Sequence, residues 1–481
     1  MRRWLLPAGV VVLLVWAQVA SAGVVMVATV ISPNPSPFAN CDNQNLAGAN
    51  VNAEVEPWLA VDPTNSEYAV AWQQDRWGDP NEGGAHGFVA WSSVSGTNSW
   101  APFTTCSGGS AANNGNYDRA SDVWLSYGPD GRLYQSALVF DELTGRNGIT
   151  VSTSTDDGRT WSAPSMVVSS PQKSFTHGFD KESVTADPTR PGVAYVVWDR
   201  YSNQLPDFSS GNGQNADKGP AYLSMTTDGG KTWSAAKPMY TQGNGTLGNQ
   251  LVVLNGGTLV DFFTNFVFSG KAGGYTEDLA SVRSTNGGNS WSNPVVVSDM
   301  QPNGTQDPRN GNYVRAGDSL FDVALGPTGA LYAVWEDARF NGVDQVAFSK
   351  STDGGLTWST PIKVSETPPN ANALLTQAFT PSVDVSDNGT IAVTYYDFRN
   401  YTAGSTLPTT YSAITSPDGG SSWSSELNLS TSDMEYAPSA GGLMIGDYEA
   451  LAHSGNTFLT AFEVGNSQAD PTDIDVSSFK P

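Results

Sequence analysis

One eight-residue pattern returns five times along the chain and constrains the fold more than any other feature. The copies are S-T-D-D-G-R-T-W at 154–161, T-T-D-G-G-K-T-W at 226–233, S-T-N-G-G-N-S-W at 284–291, S-T-D-G-G-L-T-W at 351–358 and S-P-D-G-G-S-S-W at 416–423. An alternating strand precedes each copy and a short apolar run follows it. Each copy is therefore predicted to be the turn of a β-hairpin, repeated at a period typical of repeat architectures.

A second hairpin is predicted upstream of each turn. The segments 60–72, 185–198, 324–335 and 384–396 each place Pro, Asp or Gly between two apolar runs. The two hairpins together supply four strands per repeat, and no helical periodicity lies between them. Four antiparallel strands repeated along one chain are typical of a β-propeller. We therefore predict an all-β fold, a single propeller of four-stranded antiparallel blades.

The upstream hairpin also predicts the number of blades and the way the ring closes. It occurs at 57–72, 123–137, 183–198, 250–263, 319–335, 380–396 and 443–463, which favours seven blades, with six as the alternative. The last repeat ends one strand short, at 473–479. The segment V-V-M-V-A-T-V-I-S at 24–32 resembles the outer-strand runs of the other repeats. We expect it to pair beside 473–479 and close the ring.

The N-terminus has the composition of a secretory signal peptide. Arg2 and Arg3 precede an apolar run that ends in A-S-A, a small-residue cleavage signal. We predict a signal peptide over 1–22 with cleavage near Ala22, a propeller domain over 23–481, and an exported protein that is extracellular or periplasmic. Two cysteines suit an oxidising compartment. If the ring closes as predicted, Cys41 and Cys106 lie on one face in adjacent blades, so we expect a disulfide between them.

The charge of the chain excludes one class of partner. The formal net charge is −24, whereas nucleic-acid binding requires a basic face. No segment after the signal peptide is apolar for the roughly 18 residues of a membrane helix. The sequence indicates no cofactor, leaves a bound metal open, and is compatible with a monomer.

The eight-residue turn resembles the Asp box, S-x-D-x-G-x-x-W, of the bacterial neuraminidase repeat, over nearly the whole mature chain. The resemblance implies a sialidase-like propeller. In such a turn the Asp accepts hydrogen bonds from backbone N–H groups, Gly takes a positive φ and Trp packs on neighbouring strands. We predict a structural role, fastening the blades, for Asp156, Gly158, Trp161, Asp228, Gly230, Trp233, Asn286, Gly288, Trp291, Asp353, Gly355, Trp358, Asp418, Gly420 and Trp423.

The end of the propeller opposite these turns carries the unusual residues. Four repeats end their second strand with an acid and an arginine: Asp75 with Arg76, Asp199 with Arg200, Asp337 with Arg339, and Asp397 with Arg399. A second set of acids stands where the innermost strands begin, at Glu56, Asp122, Glu182, Asp318 and Asp447. A position that recurs in every blade forms a ring round the axis. The pairs either bridge adjacent blades or line a polar pocket.

The resemblance to sialidases implies an active site at this opposite end. That family uses an arginine triad, a Tyr nucleophile with a Glu partner, and an Asp acid/base. Its first-arginine motif, F/Y-R-I-P, is not found, because Val55 stands in the only similar place, E-V-E-P. The candidate catalytic residues are Arg76, Arg200, Arg339, Arg399, Glu56, Asp122, Glu182, Asp447 and Tyr448.

Two functions follow as expectations. The first is an exo-sialidase type of glycoside hydrolase that acts on extracellular glycans. The alternative is a non-catalytic propeller that binds a glycan, a glycoconjugate or a protein. An acidic protein that admits an anionic sugar needs local positive potential, which arginines can supply.

Overall fold

The computed structural model describes residues 24–41, 49–78, 83–110, 112, 116–141, 144–170, 177–202, 219–240, 245–268 and 275–481. The predicted signal peptide, 1–22, lies outside these residues. The described part of the chain is almost entirely β-structure, with short 3-10 helices at Ala338–Phe340, Ala373–Thr376 and Met434–Tyr436. None of its helices has the length and apolar character needed to cross a membrane.

Two short strands, β1 (Val24–Val25) and β2 (Thr29–Val30), precede the first three sheets. Sheet 1 contains β3 (Glu54–Val61), β4 (Tyr68–Arg76), β5 (Ala85–Ser92) and β6 (Thr97–Ser99). Sheet 2 contains β7 (Arg119–Tyr127), β8 (Leu133–Phe140), β9 (Asn147–Ser154) and β10 (Ser165–Ser170). Sheet 3 contains β11 (His177–Ala186), β12 (Ala194–Ser202), β13 (Ala221–Thr226) and β14 (Lys237–Tyr240).

The next two sheets have the same order. Sheet 4 contains β15 (Gly245–Val253), β16 (Leu259–Phe268), β17 (Tyr275–Ser284) and β18 (Val295–Met300). The short strand β19 (Val314–Arg315) follows. Sheet 5 contains β20 (Phe321–Leu325), β21 (Leu331–Asp337), β22 (Gln345–Ser351) and β23 (Ile362–Lys363).

The last two sheets complete the set. Sheet 6 contains β24 (Ala378–Val385), β25 (Ile391–Asp397), β26 (Pro408–Ser416) and β27 (Leu427–Asp433). The short strand β28 (Leu443–Met444) pairs with β19 in parallel. Sheet 7 contains β29 (Ala450–Ser454), β30 (Thr457–Ser467) and β31 (Asp470–Lys480), with β1 and β2 at its outer edge.

The first strands of the sheets form a closed ring. The innermost strands β3, β7, β11, β15, β20, β24 and β29 contact one another in that order, and β29 contacts β3. This is the arrangement of a β-propeller. The described strands group into the seven sheets given above, and sheets 1 and 2 also share one bridge between Ala85 and Ala120.

The core lies between the sheets. Every residue of β21 and of β25 is buried, so the second strand of each of these sheets is covered on both faces. Strands covered on both faces need apolar residues in nearly continuous runs. Sheets 5 and 6 share one such core, which contains Val334, Phe348 and Tyr395.

The N-terminal segment closes the ring, as predicted for 24–32. β1 and β2 both pair antiparallel with β31, so the outermost strand of sheet 7 comes from the start of the chain. Ile31 and Phe38 continue the segment into a core that they share with Leu59 and Val476. The structure also pairs Cys41 with Cys106, 65 residues apart, as predicted.

The Asp-box turns have the hydrogen bonds that the repeat predicts. At the first box, Ser154 Oγ and the backbone N–H of Thr160 donate to Asp156 Oδ1, at 2.7 and 2.9 Å. Gly158 takes a φ of 77°. Trp161 Nε1 donates to Ser99 Oγ of sheet 1 at 3.0 Å. The turn therefore holds its own shape and also fastens its sheet to the preceding one.

One box works with an amide in place of the acid. Asn286 Oδ1 accepts from the backbone N–H of Ser290 at 3.0 Å, and its Nδ2 donates to Ser290 Oγ at 2.8 Å. The turn therefore does not require a carboxylate. An ionised carboxylate accepts hydrogen bonds from the turn more strongly than an amide oxygen does.

We expect removal of the disulfide to destabilise the ring. Replacing Cys41 and Cys106 by Ser should lower the free energy of unfolding by about 4 kcal/mol, since the bridge closes a long loop in the unfolded chain. Denaturant unfolding without reductant measures this change. Wild-type protein with reductant should unfold at the midpoint of the variant, and a variant with the wild-type midpoint would contradict the prediction.

The boxes should also make stability acid-sensitive. Hydrogen bonds from Thr232 and Ser422 lower the pKa of Asp228 and of Asp418 to about 2. Because the pKa of each carboxyl is lower in the folded protein than in the unfolded chain, its ionised form stabilises the fold. This stability is fully present above the usual pKa of 3.8 and is lost as the pH falls through about 2. The double variant Asp228→Asn and Asp418→Asn should therefore lose less Tm than wild type between about pH 4 and pH 2.

The natural Asn286 box indicates that this double variant folds. Thermal unfolding across the pH series provides the measurement. Parallel Tm curves for the variant and the wild type would show that the two carboxylates do not contribute.

Candidate functional site

A break in strand register occurs at the same place in five innermost strands. β3, β7, β11, β15 and β24 each shift register against their neighbour near their start. At each break one residue has a left-handed φ, which favours glycine and is strained for other residues. These residues are Glu56 (φ 55°), Asp122 (59°), Lys181 (45°), Gly248 (74°) and Thr380 (47°). Sheet 4 therefore uses glycine where sheets 1, 2 and 3 hold charged side chains.

The charged side chains of sheets 1 to 3 meet on the axis around the Lys181 ammonium. Lys181 Nζ lies 2.7 Å from Asp447 Oδ2, 3.2 Å from Asp122 Oδ1 and 3.9 Å from Glu56 Oε1. The Lys181 side chain is 11% exposed, so these ion pairs are largely removed from water. An ion pair in such surroundings is stronger than on the surface, but both groups have lost their hydration.

Two arginines complete this group. Arg315 Nε donates to Asp447 Oδ1 at 2.8 Å, and its Nη2 donates to the other oxygen of the same carboxylate. Arg76 is buried and Arg76 Nη1 donates to Gln73 Oε1 at 2.8 Å, while Gln73 Nε2 donates to Glu56. We call Glu56, Arg76, Asp122, Lys181, Arg315 and Asp447 the axial cluster.

Burial and charge drive the carboxyl pKa values of the axial cluster apart. Burial raises the pKa of Glu56 to about 7, although Lys181 opposes the shift. Burial also acts to raise the pKa of Asp122, but the charge of Lys181 and hydrogen bonds with Asp180 and Lys181 together outweigh it and lower that pKa. Arg315 and Lys181 together outweigh burial and hold the pKa of Asp447 well below its usual value. Near neutral pH, Glu56 can therefore carry a proton beside two ionised carboxylates.

Aromatic rings lie against the axial cluster. Trp58 and Trp124 stack with their ring centroids 3.4 Å apart, and the Tyr448 ring meets both edge-on. Lys181 Nζ lies 5.5 Å from the centroid of the Tyr448 ring. Aromatic faces next to polar groups are a common surface for sugar rings as well as for cations.

The two cavities near this end of the protein differ in size. The axial cavity, lined by Trp58, Asp447 and Tyr448 among others, has a volume of about 10 Å³, which is room for about one water molecule. A second cavity of about 380 Å³ lies between sheet 5 and the segment that leads from it to sheet 6, and its lining includes the polar side chains of Asn341 and Lys363. That volume falls in the range of small-molecule sites.

Whether an acid and its arginine form an ion pair depends on their separation in the sequence. Arg339 and Arg399 stand two residues after Asp337 and Asp397 and form ion pairs with them. Arg339 also reaches Asp299 of sheet 4, and so bridges adjacent sheets.

The two pairs of adjacent residues have different partners. Successive side chains of a strand point to opposite faces, so Asp199 does not pair with Arg200. Asp199 accepts hydrogen bonds from Thr246 and Asn249 of sheet 4, whereas Arg200 donates to Tyr222 Oη at 3.1 Å. Asp75 likewise contacts Ser36 and His86.

The structure brings some of the sequence-predicted residues together and not others. Glu56, Arg76, Asp122 and Asp447 belong to the axial cluster, and Tyr448 lies beside it. Glu182 is buried, and burial and the charge of Asp122 raise its pKa. The contacts of Arg200, Arg339 and Arg399 among the described residues are with other groups.

Sequence reasoning missed Lys181 and Arg315. It took Glu182 as the acid of the third repeat, but Lys181, one residue earlier, has the place that Glu56 and Asp122 have in their strands. The register break at these residues shifts the expected position by one residue. The spacing of the charged residues near the start of the innermost strands is the signal that could have shown the shift. Arg315 is held by the parallel pairing of β19 with β28, which no local pattern predicts.

Comparison with known proteins agrees with the fold. Residues 70–316, more than half of the chain, match the family described as the BNR repeat-like domain, and the protein belongs to this family. A search of curated proteins returned no match.

Among solved structures, the Hadza microbial sialidase is 16% identical with a TM-score of 0.47, covering 85% of this chain and 76% of that one. The Penicillium chrysogenum alpha-L-arabinanase is 13% identical with a TM-score of 0.46, covering 94% of this chain and 98% of that one. The NanB sialidase from Streptococcus pneumoniae is 13% identical with a TM-score of 0.46, covering 76% of this chain and 68% of that one.

Removal of the central ammonium should destabilise the protein strongly. Lys181→Met leaves Asp122 and Asp447 partly unpaired in a buried site, which should cost about 3–5 kcal/mol. Denaturant unfolding at pH 7 measures the loss. The matched control is Lys237→Met, because the Lys237 side chain is exposed and its Nζ donates to Asn289 Oδ1 rather than to a carboxylate. Its effect should stay within about 0.5 kcal/mol. Equal effects of the two substitutions would refute a central role for Lys181.

Proposed function

We propose that this protein is an exported, monomeric glycoside hydrolase that acts on extracellular glycans through the axial cluster. The observation that carries the proposal is the separation of carboxyl pKa values around one ammonium, with Glu56 at about 7 and Asp122 lowered. Glycoside cleavage needs one carboxyl group that holds a proton and a second that is ionised. The predicted signal peptide and the disulfide support export.

The geometry supports a role for each carboxylate. Glu56 is the proposed general acid, and Asp122 is the proposed second carboxylate. Their oxygens lie 3.9 and 3.2 Å from Lys181 Nζ, so these two oxygens are at most about 7 Å apart, an upper limit that is compatible with a glycosidase carboxyl pair. Both residues also hold a left-handed φ, and backbone strain of this kind clusters at functional sites.

An exo-sialidase must also bind the carboxylate of an anionic sugar. The Asp447 carboxylate lies between Lys181 and Arg315, in the place where the carboxylate of an anionic sugar would be bound. The Arg315 side chain is 26% exposed, so the proposed sialidase form of the activity has Arg315 exchange Asp447 for the substrate. Hydrolysis of a neutral glycan does not require this exchange.

The test is hydrolysis of a panel of fluorogenic glycosides, sialosides included, by the mature protein. Glu56→Gln and Asp122→Asn should each lower kcat by about 10²- to 10⁴-fold, the usual contribution of acid–base catalysis. Arg339→Ala is the matched control, since Arg339 contacts Asp337 and Asp299 rather than the axial cluster. Activity that survives both carboxyl substitutions would place the catalytic groups elsewhere.

Glu56→Gln should not act by unfolding the protein. The folded pKa of Glu56 is raised from 4.5 to about 7, so ionised Glu56 costs stability as pH rises through that interval. A neutral Gln does not carry this cost, and the Tm of the variant at pH 8 should equal or exceed that of wild type. A lower Tm would mean that the loss of activity reflects structure.

A non-catalytic glycan-binding propeller is the second candidate. The specific observation in its favour is that Glu56 is fully buried and the axial cavity has a volume of only about 10 Å³. The cavity between sheet 5 and the segment after it has a volume of about 380 Å³. Absence of turnover on the whole panel, with glycan binding that is weakened by Lys363→Ala, would favour this function.

A further inference from the structure

Three carboxylates meet in sheet 5 outside the axial cluster. Asp318 precedes β20, Glu336 lies near the end of β21 and Asp344 immediately precedes β22. One oxygen of each lies within 4.8 Å of the others. Glu336 and Asp344 have 0% exposure, so water does not screen their charges.

Glu336 and Asp344 each have one carboxylate oxygen that accepts no hydrogen bond. Glu336 Oε1 accepts from the backbone N–H of Thr380 and Asp344 Oδ1 from that of Asn303, both at 2.8 Å. Glu336 Oε2 and Asp344 Oδ2 are buried without a hydrogen-bond partner, and so is Thr305 Oγ1. A buried polar oxygen without a partner is unfavourable and indicates a missing ligand or proton.

The local charge is also unbalanced. The strongest charged neighbours of Asp344 and of Glu336 are other acids, and Asp318 is the first of these for both. The axial cluster, in contrast, contains its own lysine and arginines. Like charges this close cannot all ionise unless a cation joins them.

We propose that Asp318, Glu336 and Asp344 bind one divalent cation, for which Ca²⁺ is the best match. Ca²⁺ prefers oxygen ligands at about 2.3–2.6 Å, and two oxygens on one such ion are at most about 5 Å apart, in agreement with the observed grouping. The set contains no histidine or cysteine, which disfavours zinc. Thr305 Oγ1 is a candidate fourth ligand.

The cation would hold the segment that carries Arg315. The backbone N–H of Thr305 points to the Asp318 carboxylate at 3.5 Å. Both ends of the 305–318 segment are therefore tied to the site, and β19 lies between them. The ion is a positioning group for Arg315 and not a participant in the chemistry proposed above.

The experiment is calorimetric titration of chelator-treated, full-length mature protein with CaCl₂ at pH 6.5, with thermal unfolding measured in parallel. Wild type should bind Ca²⁺ with a rise in Tm. Glu336→Gln with Asp344→Asn should remove one equivalent of binding, or weaken it more than about 100-fold.

Two controls make the result decisive. Asp322→Asn is matched, since Asp322 is buried in the same sheet but accepts from backbone N–H groups with both oxygens, each at 2.9 Å; it should keep the wild-type stoichiometry. Glu54→Gln with Asp473→Asn removes the other described acid group. Unchanged binding in the Glu336 and Asp344 variant, or loss only in the Glu54 and Asp473 variant, would overturn the proposal.

Discussion

The site depends on the left-handed residue near the start of the innermost strands. In a regular strand, successive side chains point alternately to the two faces of the sheet. Regular strands could therefore not keep their pairing in the core and also direct Glu56, Asp122 and Lys181 into one cluster. The register break inserts one residue and frees its side chain for the axis. Gly248 marks the same place in sheet 4 without a side chain, so the propeller presents charge on only part of its ring.

The axis and sheet 5 balance charge in different ways. At the axis, Asp447 is paired by both Lys181 and Arg315, so the protein supplies its own counter-ions and the cluster is stable as it stands. In sheet 5, Glu336 and Asp344 are buried with acids as their strongest charged neighbours. The first arrangement favours chemistry that is governed by protonation, and the second favours an external cation.

The predictable parts of this protein are those set by local chemistry. The Asp-box turns follow from Ser, Asp and Gly at fixed offsets, and the closing strand 24–32 follows from a repeat that lacks its last strand. The acids Glu56, Asp122 and Asp447 could be found because an acid recurs near the start of several innermost strands. The partner of each charged side chain could not be predicted from the sequence. Arg339 pairs with Asp337, two residues earlier, whereas Arg200 contacts Tyr222, and the packing of the sheets decides between such partners. Lys181 was missed because a single bulge moved the expected position by one residue.

Ring closure has a consequence for the order of folding. The hydrogen bonds that close sheet 7 join residues 441 and 451 positions apart, Ser32 with Asp473 and Met26 with Ser477. Contacts of such sequence separation form slowly, because a very long loop must be closed before they contribute. The outer edge of β31 stays unpaired until the first residues of the chain return to it, and an open sheet edge invites association with other chains. During biosynthesis, the interval before β1 and β2 dock is therefore the stage at which this propeller is most exposed to aggregation.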